Sequence, residues 1–176
     1  QMAMGVCADR TAERYVISRA EQDAYAIQSY QLVADSTEKG YFENEIVPVE
    51  ITDRKTKSTF LFDQDEEYKK VKFEKIPHLR PAFTKEGTVT AANASNINDG
   101  SAALVLANGE IVKNYGLKPL AKIIAYADAA QEPEWFTTAP ILATRKVLAK
   151  AGLTLNDIDF FEINETKKTF DKFELP

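Results

Sequence analysis

The chain has 176 residues, of which 44% are hydrophobic and 28% charged, and its formal net charge at pH 7 is -5. The acidic balance excludes a general attraction to nucleic acid. No apolar stretch approaches the roughly 20 residues that a membrane-spanning helix needs, so the expected partners are small molecules or proteins. The single cysteine, Cys7, excludes an internal disulfide. Because the first residue is Gln1 and not an initiator Met, we expect the natural chain to start upstream.

The first 85 residues predict a helix followed by a β-ribbon. Ser18 and Glu21 have the spacing of a capping box, which predicts a helix running to about Glu38. Residues 46–51 have a β-type alternation around Pro48, and residues 59–62 also have a β-type pattern. These two segments are the predicted strands of the ribbon.

After Gly87 the sequence changes to small residues, which continue to Ser95. Such a segment cannot pack by bulk, so it predicts a tightly folded loop whose backbone approaches another group closely; a plain compact loop is the alternative. Apolar runs beyond it predict buried strands at residues 102–107, 120–126 and 157–163, with helices at 110–115 and 140–151. The order strand, helix, strand indicates a parallel βαβ unit and an α/β fold.

Cysteine and histidine side chains offer one minimal catalytic pair. Cys7 would be the nucleophile and His78, the only histidine, its base. Nothing near either residue supports this pairing. We expect instead an inert cysteine and a surface histidine.

A lysine-rich segment is a second candidate for chemistry. Lys69, Lys70, Lys72 and Lys75 are interleaved with aromatic and apolar residues, a pattern that suits phosphates bound beside a base or ribose. The acidic run Asp65-Glu66-Glu67 precedes them, so a solvated, charge-paired segment is the other interpretation. Spacing alone leaves both open.

Asn164 follows the last predicted strand, at the end where α/β folds place functional groups. An amide there can hold a water or donate to a developing oxyanion. A simple helix cap fits the position equally well.

Seven separated motifs occur in an order and spacing that resemble those of thiolases. They are Met4-Gly5 with Cys7-Ala8-Asp9, Glu21-Gln22-Asp23-Ala24-Tyr25-Ala26, Glu45-Ile46-Val47-Pro48-Val49, Asp65-Glu66-Glu67-Tyr68, residues 87–95, Asn98-Asp99-Gly100 and Asn164-Glu165. The similarity covers about residues 2–165 and is greatest to the biosynthetic acetyl-CoA acetyltransferase branch of that family.

The resemblance implies an α/β chain with a partial thiolase fold, made of a loop domain and incomplete βαβαβ halves. Residues 1–85 resemble the coenzyme A-binding loop domain, 86–117 the end of the amino-terminal half and 118–165 the start of the carboxy-terminal half. Residues 166–176 form a divergent tail. The family's nucleophilic Cys would precede residue 1, and its catalytic His and second Cys would follow Pro176. We therefore expect an internal fragment that is inactive by itself.

The resemblance also implies binding residues. By similarity, coenzyme A contacts fall on Tyr30, Lys70, Val71, Lys72, Lys75, Phe83 and Ser95. Tyr30 with the backbone of Ala91, Ala92 and Ala94 resembles the potassium site of mitochondrial family members, since phenol and carbonyl oxygens suit a hard cation. Asn164 resembles the family's Asn that holds the oxyanion-stabilising water, the one catalytic position matched here.

Two functions follow from the resemblance. The first is a fragment of an acetyl-CoA C-acetyltransferase, which reversibly condenses two acetyl-CoA to acetoacetyl-CoA. It implies coenzyme A as substrate, no covalent cofactor, a parent homodimer or homotetramer, and a location in the mitochondrial matrix or cytoplasm. The second is a truncated, non-catalytic protein that binds coenzyme A or pairs with full-length subunits.

Overall fold

The structure is a computed structural model that describes residues 2–163. It has two compact units: the amino-terminal unit, Ala3–Ala94, and the carboxy-terminal unit, which comprises Met2 and residues 95–163 of the described chain. The amino-terminal unit contains α1 (Met4–Arg14), α2 (Arg19–Glu38), β1 (Val49–Thr52), β2 (Thr59–Phe62), α3 (Glu67–Lys70) and a 3₁₀ helix (Phe73–His78). The carboxy-terminal unit contains α4 (Gly109–Asn114), a 3₁₀ helix (Pro133–Thr138), α5 (Ala139–Ala151) and a short 3₁₀ helix (Leu155–Asp157). None of the described helices is long and apolar enough to cross a membrane.

α2 begins and ends where the sequence predicts. The Ser18 hydroxyl accepts a hydrogen bond from the N–H of Glu21 (3.2 Å), and the Glu21 carboxylate accepts one from the N–H of Ser18 (2.7 Å). This reciprocal pair satisfies amides that the first turn leaves without helical partners. The helix ends at Glu38, and Gly40 follows with a φ of +72°, which glycine adopts without steric cost. The capping-box prediction is confirmed.

α1 carries no start signal in the sequence. Its N-cap is Ala3, whose side chain cannot accept a hydrogen bond. The buried positions are Cys7, Asp9, Thr11 and Ala12, a mixture of polar and small residues that makes no apolar stripe. Packing against the rest of the unit therefore stabilises this helix, which no local signal in the sequence predicts.

The two predicted strands form an antiparallel hairpin that pairs Val49 with Phe62 at one end. β2 has the predicted bounds, but β1 begins at Val49, three residues later than predicted. Pro48 accounts for the difference, because it has no backbone N–H to give to a ladder. The N–H of Ile46 is used in a turn, where it donates to the carbonyl of Phe42 (3.1 Å).

The core of the amino-terminal unit buries polar side chains together with apolar ones. Buried polar groups must find hydrogen-bond partners, so this core depends on a polar network as well as on apolar packing. The buried apolar residues are Cys7, Ala12, Ile17, Ala26, Ile76 and Val89, and the buried polar residues are Asp9, Thr11, Gln22, Asp23, Thr90 and Asn93.

α4 and α5 confirm the two predicted helices, with bounds that differ by one residue. Asn108 caps α4, because its Oδ1 accepts a hydrogen bond from the N–H of Ile111 (2.8 Å). α5 buries Ile141 and Leu148 and stops at Gly152, whose φ is +67°.

The three predicted strands of the carboxy-terminal unit are wrong for the described chain. Within residues 2–163, no strand lies in 102–107, 120–126 or 157–163, so the parallel βαβ unit is not formed. Their side chains were expected to be buried, yet Leu120 is 99% exposed and Val105 is 96% exposed. A strand forms when a neighbour takes up its N–H and C=O groups. The hairpin is the one sheet of the described chain, and it pairs only β1 with β2.

Side chains of α5 satisfy part of this backbone instead. The Lys150 ammonium donates to the carbonyl of Tyr126 (3.2 Å) and lies 4.3 Å from the centroid of its ring. Lys146 donates to the carbonyl of Asp128 (3.2 Å). The segment is thereby attached to α5 without a β-ladder.

Candidate functional site

The small-residue segment folds as a tight turn that side chains fasten from inside. The N–H of Ala94 donates to the carbonyl of Thr90 (2.9 Å), which closes a single helical turn. The Asn93 Oδ1 accepts from the N–H of Thr90 (2.7 Å), and the Thr90 hydroxyl accepts from the N–H of Asn93 (3.3 Å). Thr90 is 0% exposed and Asn93 5%. We call residues 90–94 the small-residue turn.

Asp9, on α1, holds the chain just before this turn. Its Oδ1 accepts from the N–H groups of Thr88 (2.8 Å) and Val89 (2.9 Å), and its Oδ2 accepts from the Thr84 hydroxyl (2.9 Å). A buried carboxylate is costly unless it is hydrogen-bonded, and these donors compensate it. A Cβ at Gly87 would overlap both the Asp9 carboxylate and the Thr84 hydroxyl. Glycine is needed there because the carboxylate approaches the backbone so closely.

α2 holds the same segment through two further buried side chains. The Gln22 Nε2 donates to the Thr88 hydroxyl (2.8 Å) and to the carbonyl of Ile17 (3.2 Å). The Asn93 Nδ2 donates to the Oδ1 of Asp23 (2.9 Å) and to the carbonyl of Thr88 (3.1 Å). Residues 88–93 are thus attached to both α1 and α2.

The first part of the lysine-rich segment is charge-paired. Lys70, at the end of α3, forms ion pairs with the carboxylates of Glu66 (3.0 Å) and Glu67 (3.1 Å). The hydrogen bond from Lys70 holds the pKa of Glu66 below its usual value, and hydrogen bonds to Glu66 and Glu67 raise the pKa of Lys70. Lys69 donates to the side-chain oxygen of Gln64 (2.6 Å). For Lys70 the geometry favours the charge-paired interpretation.

The second part of the segment presents lysines without such partners. Lys72 is the N-cap of the 3₁₀ helix Phe73–His78, Lys75 lies within it, and both are exposed. Neither forms an ion pair with another residue of the described chain. Arg19 of α2 donates through Nη2 to the carbonyl of Ile76 (2.8 Å), a residue that is 1% exposed. The 3₁₀ helix that carries Lys75 is therefore fixed to α2.

Phe83 lies against the start of α1. A Cβ at Gly5 would overlap the Phe83 ring, so ring and backbone are in direct contact. Phe83 nevertheless remains 44% exposed. The preceding residue, Ala82, donates through its N–H to the carbonyl of Val89 (2.8 Å). The ring is thus held beside the segment that leads into the small-residue turn, with part of its surface open.

The donor atoms of the predicted potassium site are oxygens of α2 and of the small-residue turn. Tyr30 is half-buried on α2. The hydrogen bonds of the turn use the carbonyls of Thr88, Val89 and Thr90, and in the described part of the chain none uses those of Ala91, Ala92 or Ala94. Residues 2–163 hold no group of three His, Cys, Asp or Glu residues that could bind a metal. A cation here would therefore need phenol and carbonyl oxygens.

The remaining predicted residues differ in their exposure. Cys7 is 5% exposed, whereas a nucleophile must meet its substrate. His78 is exposed at the end of its 3₁₀ helix. Val71 is half-buried beside Lys72, and Ser95 is exposed in the carboxy-terminal unit. Asn164 lies outside the described residues.

Most of the chain matches two profiles of one family. Residues 1–110 match the family described as thiolase, N-terminal domain, and residues 117–170 match thiolase, C-terminal domain. The chain belongs to the thiolase family. The mitochondrial acetyl-CoA acetyltransferase of Bos taurus is 52% identical over 92% of this thiolase chain, and acetyl-CoA acetyltransferase 2 of Arabidopsis thaliana is 50% identical over 92%. The chain spans 38% and 40% of the lengths of these two relatives.

Solved thiolase structures share the fold. The Acat5 thiolase from Ascaris suum, in complex with coenzyme A, has a TM-score of 0.82 and 46% identity, over 93% of this chain and 41% of its own. The Bacillus anthracis acetyl-CoA acetyltransferase has a TM-score of 0.81 and 42% identity, over 91% of this chain and 40% of its own. The predictions of thiolase membership and of an α/β, partial thiolase fold are confirmed.

Five residues hold the 3₁₀ helix Phe73–His78 and residues 88–93 in place by hydrogen bonds, and none of them was assigned a role from the sequence. A weak signal existed, because most of them stand inside the motifs that carry the family resemblance. Arg19 also precedes Asp23 by four residues, the spacing of an ion pair on a helix. They are Asp9, Arg19, Gln22, Asp23 and Asn93.

Proposed function

We propose that this chain is the coenzyme A-contacting part of an acetyl-CoA C-acetyltransferase, which reversibly converts two acetyl-CoA to acetoacetyl-CoA and coenzyme A. The main support is that relatives named acetyl-CoA acetyltransferase are about 50% identical in sequence over 92% of the chain. A neighbour of the same fold was solved with coenzyme A. Because the chain spans about 40% of these relatives, the full reaction is proposed for a longer protein of this type.

In this proposal, Lys72 and Lys75 bind phosphate groups of coenzyme A. Both ammonium groups are exposed and have no carboxylate partner in the described chain, so a phosphate can approach them directly. Lys70 contributes less charge, because Glu66 and Glu67 already pair with it. Phe83 offers an open ring surface to the adenine or pantetheine. The other proposed contacts are Tyr30, Val71 and Ser95.

We propose a potassium ion at Tyr30 and the backbone of Ala91, Ala92 and Ala94. The carbonyls in question accept no hydrogen bond in the described chain, which suits them as ligands of a hard cation. The small-residue turn is fixed by buried side chains, so a ligand set would be held in place before the ion arrives.

The proposal extends to domains, partners and location. We place the coenzyme A-binding loop domain at residues 1–85, with segments 86–117 and 118–165 in the two halves of the fold and 166–176 as a tail. Acetyl-CoA and acetoacetyl-CoA are the small-molecule partners, and the longer protein is a homodimer or homotetramer. Relatives from Bos taurus and Homo sapiens are named mitochondrial; we propose the mitochondrial matrix or the cytoplasm.

By itself, the chain is proposed to be inactive. Its one cysteine is buried in the core of the amino-terminal unit, and Asn164 is the one residue matched to a catalytic position. A non-catalytic protein that binds coenzyme A or pairs with full-length subunits is the second candidate. In its subunit-pairing form, a partner subunit would cover the exposed apolar residues of segments 102–107 and 120–126. Sequencing the transcript and its genomic flanks separates the two, because only the first requires a longer reading frame.

Ser95→Trp is expected to weaken coenzyme A binding more than His78→Ala. A large ring at the end of the small-residue segment would block the ligand, whereas His78 lies at the far end of the 3₁₀ helix and has no proposed contact. We expect the dissociation constant, measured by isothermal titration, to rise about tenfold or more for Ser95→Trp and to stay nearly constant for His78→Ala. Equal dissociation constants for the two variants would remove Ser95 from the binding site.

A further inference from the structure

Asp23 connects two segments that are far apart in the sequence. Its Oδ2 accepts from the Nε of Arg19 (2.6 Å), and its Oδ1 accepts from the Nδ2 of Asn93 (2.9 Å). Arg19 in turn donates to the carbonyl of Ile76 in the 3₁₀ helix Phe73–His78. Asn93 in turn accepts from the N–H of Thr90 in the small-residue turn. The Asp23 carboxylate on α2 thus connects two series of hydrogen bonds, one leading to the 3₁₀ helix and one to the small-residue turn.

The chemistry of this connection requires a carboxylate. Both neighbours present N–H donors, and only an ionised carboxyl group offers an acceptor oxygen to each of them. Asp23 is 5% exposed, so its charge interacts with Arg19 with little screening by water. Charge-assisted hydrogen bonds of this kind are short and directional. The connection therefore fixes where each segment lies relative to Asp23.

We infer that Asp23 is a positioning residue, which holds the lysine-bearing 3₁₀ helix and the small-residue turn at a fixed separation so that one ligand can bind both. The inference rests on the proposed function, in which the 3₁₀ helix binds the phosphates of coenzyme A and Ser95, the residue directly after the turn, is a further contact of the same ligand. Asp23 does not touch the ligand in this account. Its effect is on a ligand long enough to span both segments, because such a ligand gains from two contacts only when their spacing matches it.

Hydrogen exchange read by mass spectrometry tests the connection without any ligand. Asp23→Ala is expected to speed exchange by about tenfold both in peptides covering residues 73–79 and in peptides covering residues 88–94. Both series of hydrogen bonds lose their shared acceptor, the Asp23 carboxylate. Arg19→Met should speed exchange in 73–79 and leave 88–94 nearly unchanged. Asp35→Ala, an exposed carboxylate on the same helix, is the matched control and should change neither. A response to Asp23→Ala in one segment alone would overturn the inference.

Binding of coenzyme A tests the spacing. Arg19→Met and Asn93→Ala should each weaken coenzyme A binding about tenfold. The double variant should weaken it clearly less than a hundredfold, because either single change already removes the match between the ligand and the spacing of the two segments. Adenosine 3′,5′-bisphosphate and pantetheine, which reach one segment each, should be affected less than coenzyme A by the single variants. Additive losses in the double variant, or equal losses for the fragments, would contradict the positioning role.

These measurements separate the inference from the function on which it rests. A wild-type chain that binds none of the three ligands would remove the proposed function, and the exchange experiment would still decide whether Asp23 couples the segments. If Asp23→Ala does not fold, Arg19→Met and Asn93→Ala decide the matter. Coupling through Asp23 then requires that each variant speeds exchange in its own segment, Arg19→Met in residues 73–79 and Asn93→Ala in residues 88–94, and an unchanged rate in either segment would refute it.

Discussion

Asp9→Ala is expected to lower the free energy of unfolding by about 3 kcal/mol, because it removes the acceptor of three hydrogen bonds. The carboxylate of Asp9 accepts hydrogen bonds from the N–H groups of Thr88 and Val89 and from the Thr84 hydroxyl. Alanine would leave these three donors without their acceptor, and Val89, which carries one of them, is only 2% exposed. Urea unfolding followed by circular dichroism measures the change.

Two further variants make this test specific. Asp63→Ala removes an exposed carboxylate just after β2 and should change stability by less than about 0.5 kcal/mol. Asp9→Asn keeps one acceptor oxygen for the backbone amides and should fall between the two. If Asp9→Ala cost no more than Asp63→Ala, the small-residue segment would not depend on α1, contrary to the geometry.

The isolated chain is expected to self-associate in a concentration-dependent way. Large apolar side chains of segments 102–107 and 120–126 are open to solvent, including Leu104 at 85% and Leu120 at 99%. Their backbone N–H and C=O groups have no ladder within the described residues, so neighbouring molecules can supply one. Size exclusion over a range of concentrations should show species larger than a monomer.

Charged substitutions identify the responsible segment. The double variant Leu104→Lys with Leu106→Lys should shift the chain strongly toward the monomer, because repulsion disfavours edge pairing. Leu32→Lys with Tyr41→Lys changes two exposed apolar residues elsewhere and should leave association nearly unchanged. A monodisperse wild-type monomer with a concentration-independent thermal transition would contradict this expectation and favour a self-sufficient binding domain.

Local signals in the sequence predicted local structure well. The Ser18–Glu21 capping box, the β-pattern of residues 59–62 and the glycine after α5 each lead to the element seen, because each depends on neighbours in sequence. The predicted strands at 102–107, 120–126 and 157–163 failed for the opposite reason. Apolar runs report that a segment needs cover, but forming a strand also needs a partner from elsewhere.

The candidate site was predictable where residue type alone indicates chemistry. The lysine-rich segment and the small-residue run both stood out. Spacing alone could not separate Lys70, which is ion-paired, from Lys72 and Lys75, which have no ion pair within residues 2–163. The buried network around Asp9 and Asp23 was missed, because its partners lie as many as 80 residues apart. Such contacts are set by packing of distant segments and have no signature in spacing.

Hydrogen exchange of the chain with and without coenzyme A tests the central claim most directly, since it locates the ligand on the chain. If this chain is the coenzyme A-contacting part of a thiolase, the ligand should slow exchange in peptides covering residues 70–76, 82–84 and 90–95. The β1–β2 hairpin, which carries no proposed contact, should exchange at the same rate in both states. No protection at saturating coenzyme A, or protection confined to the hairpin, would contradict the account.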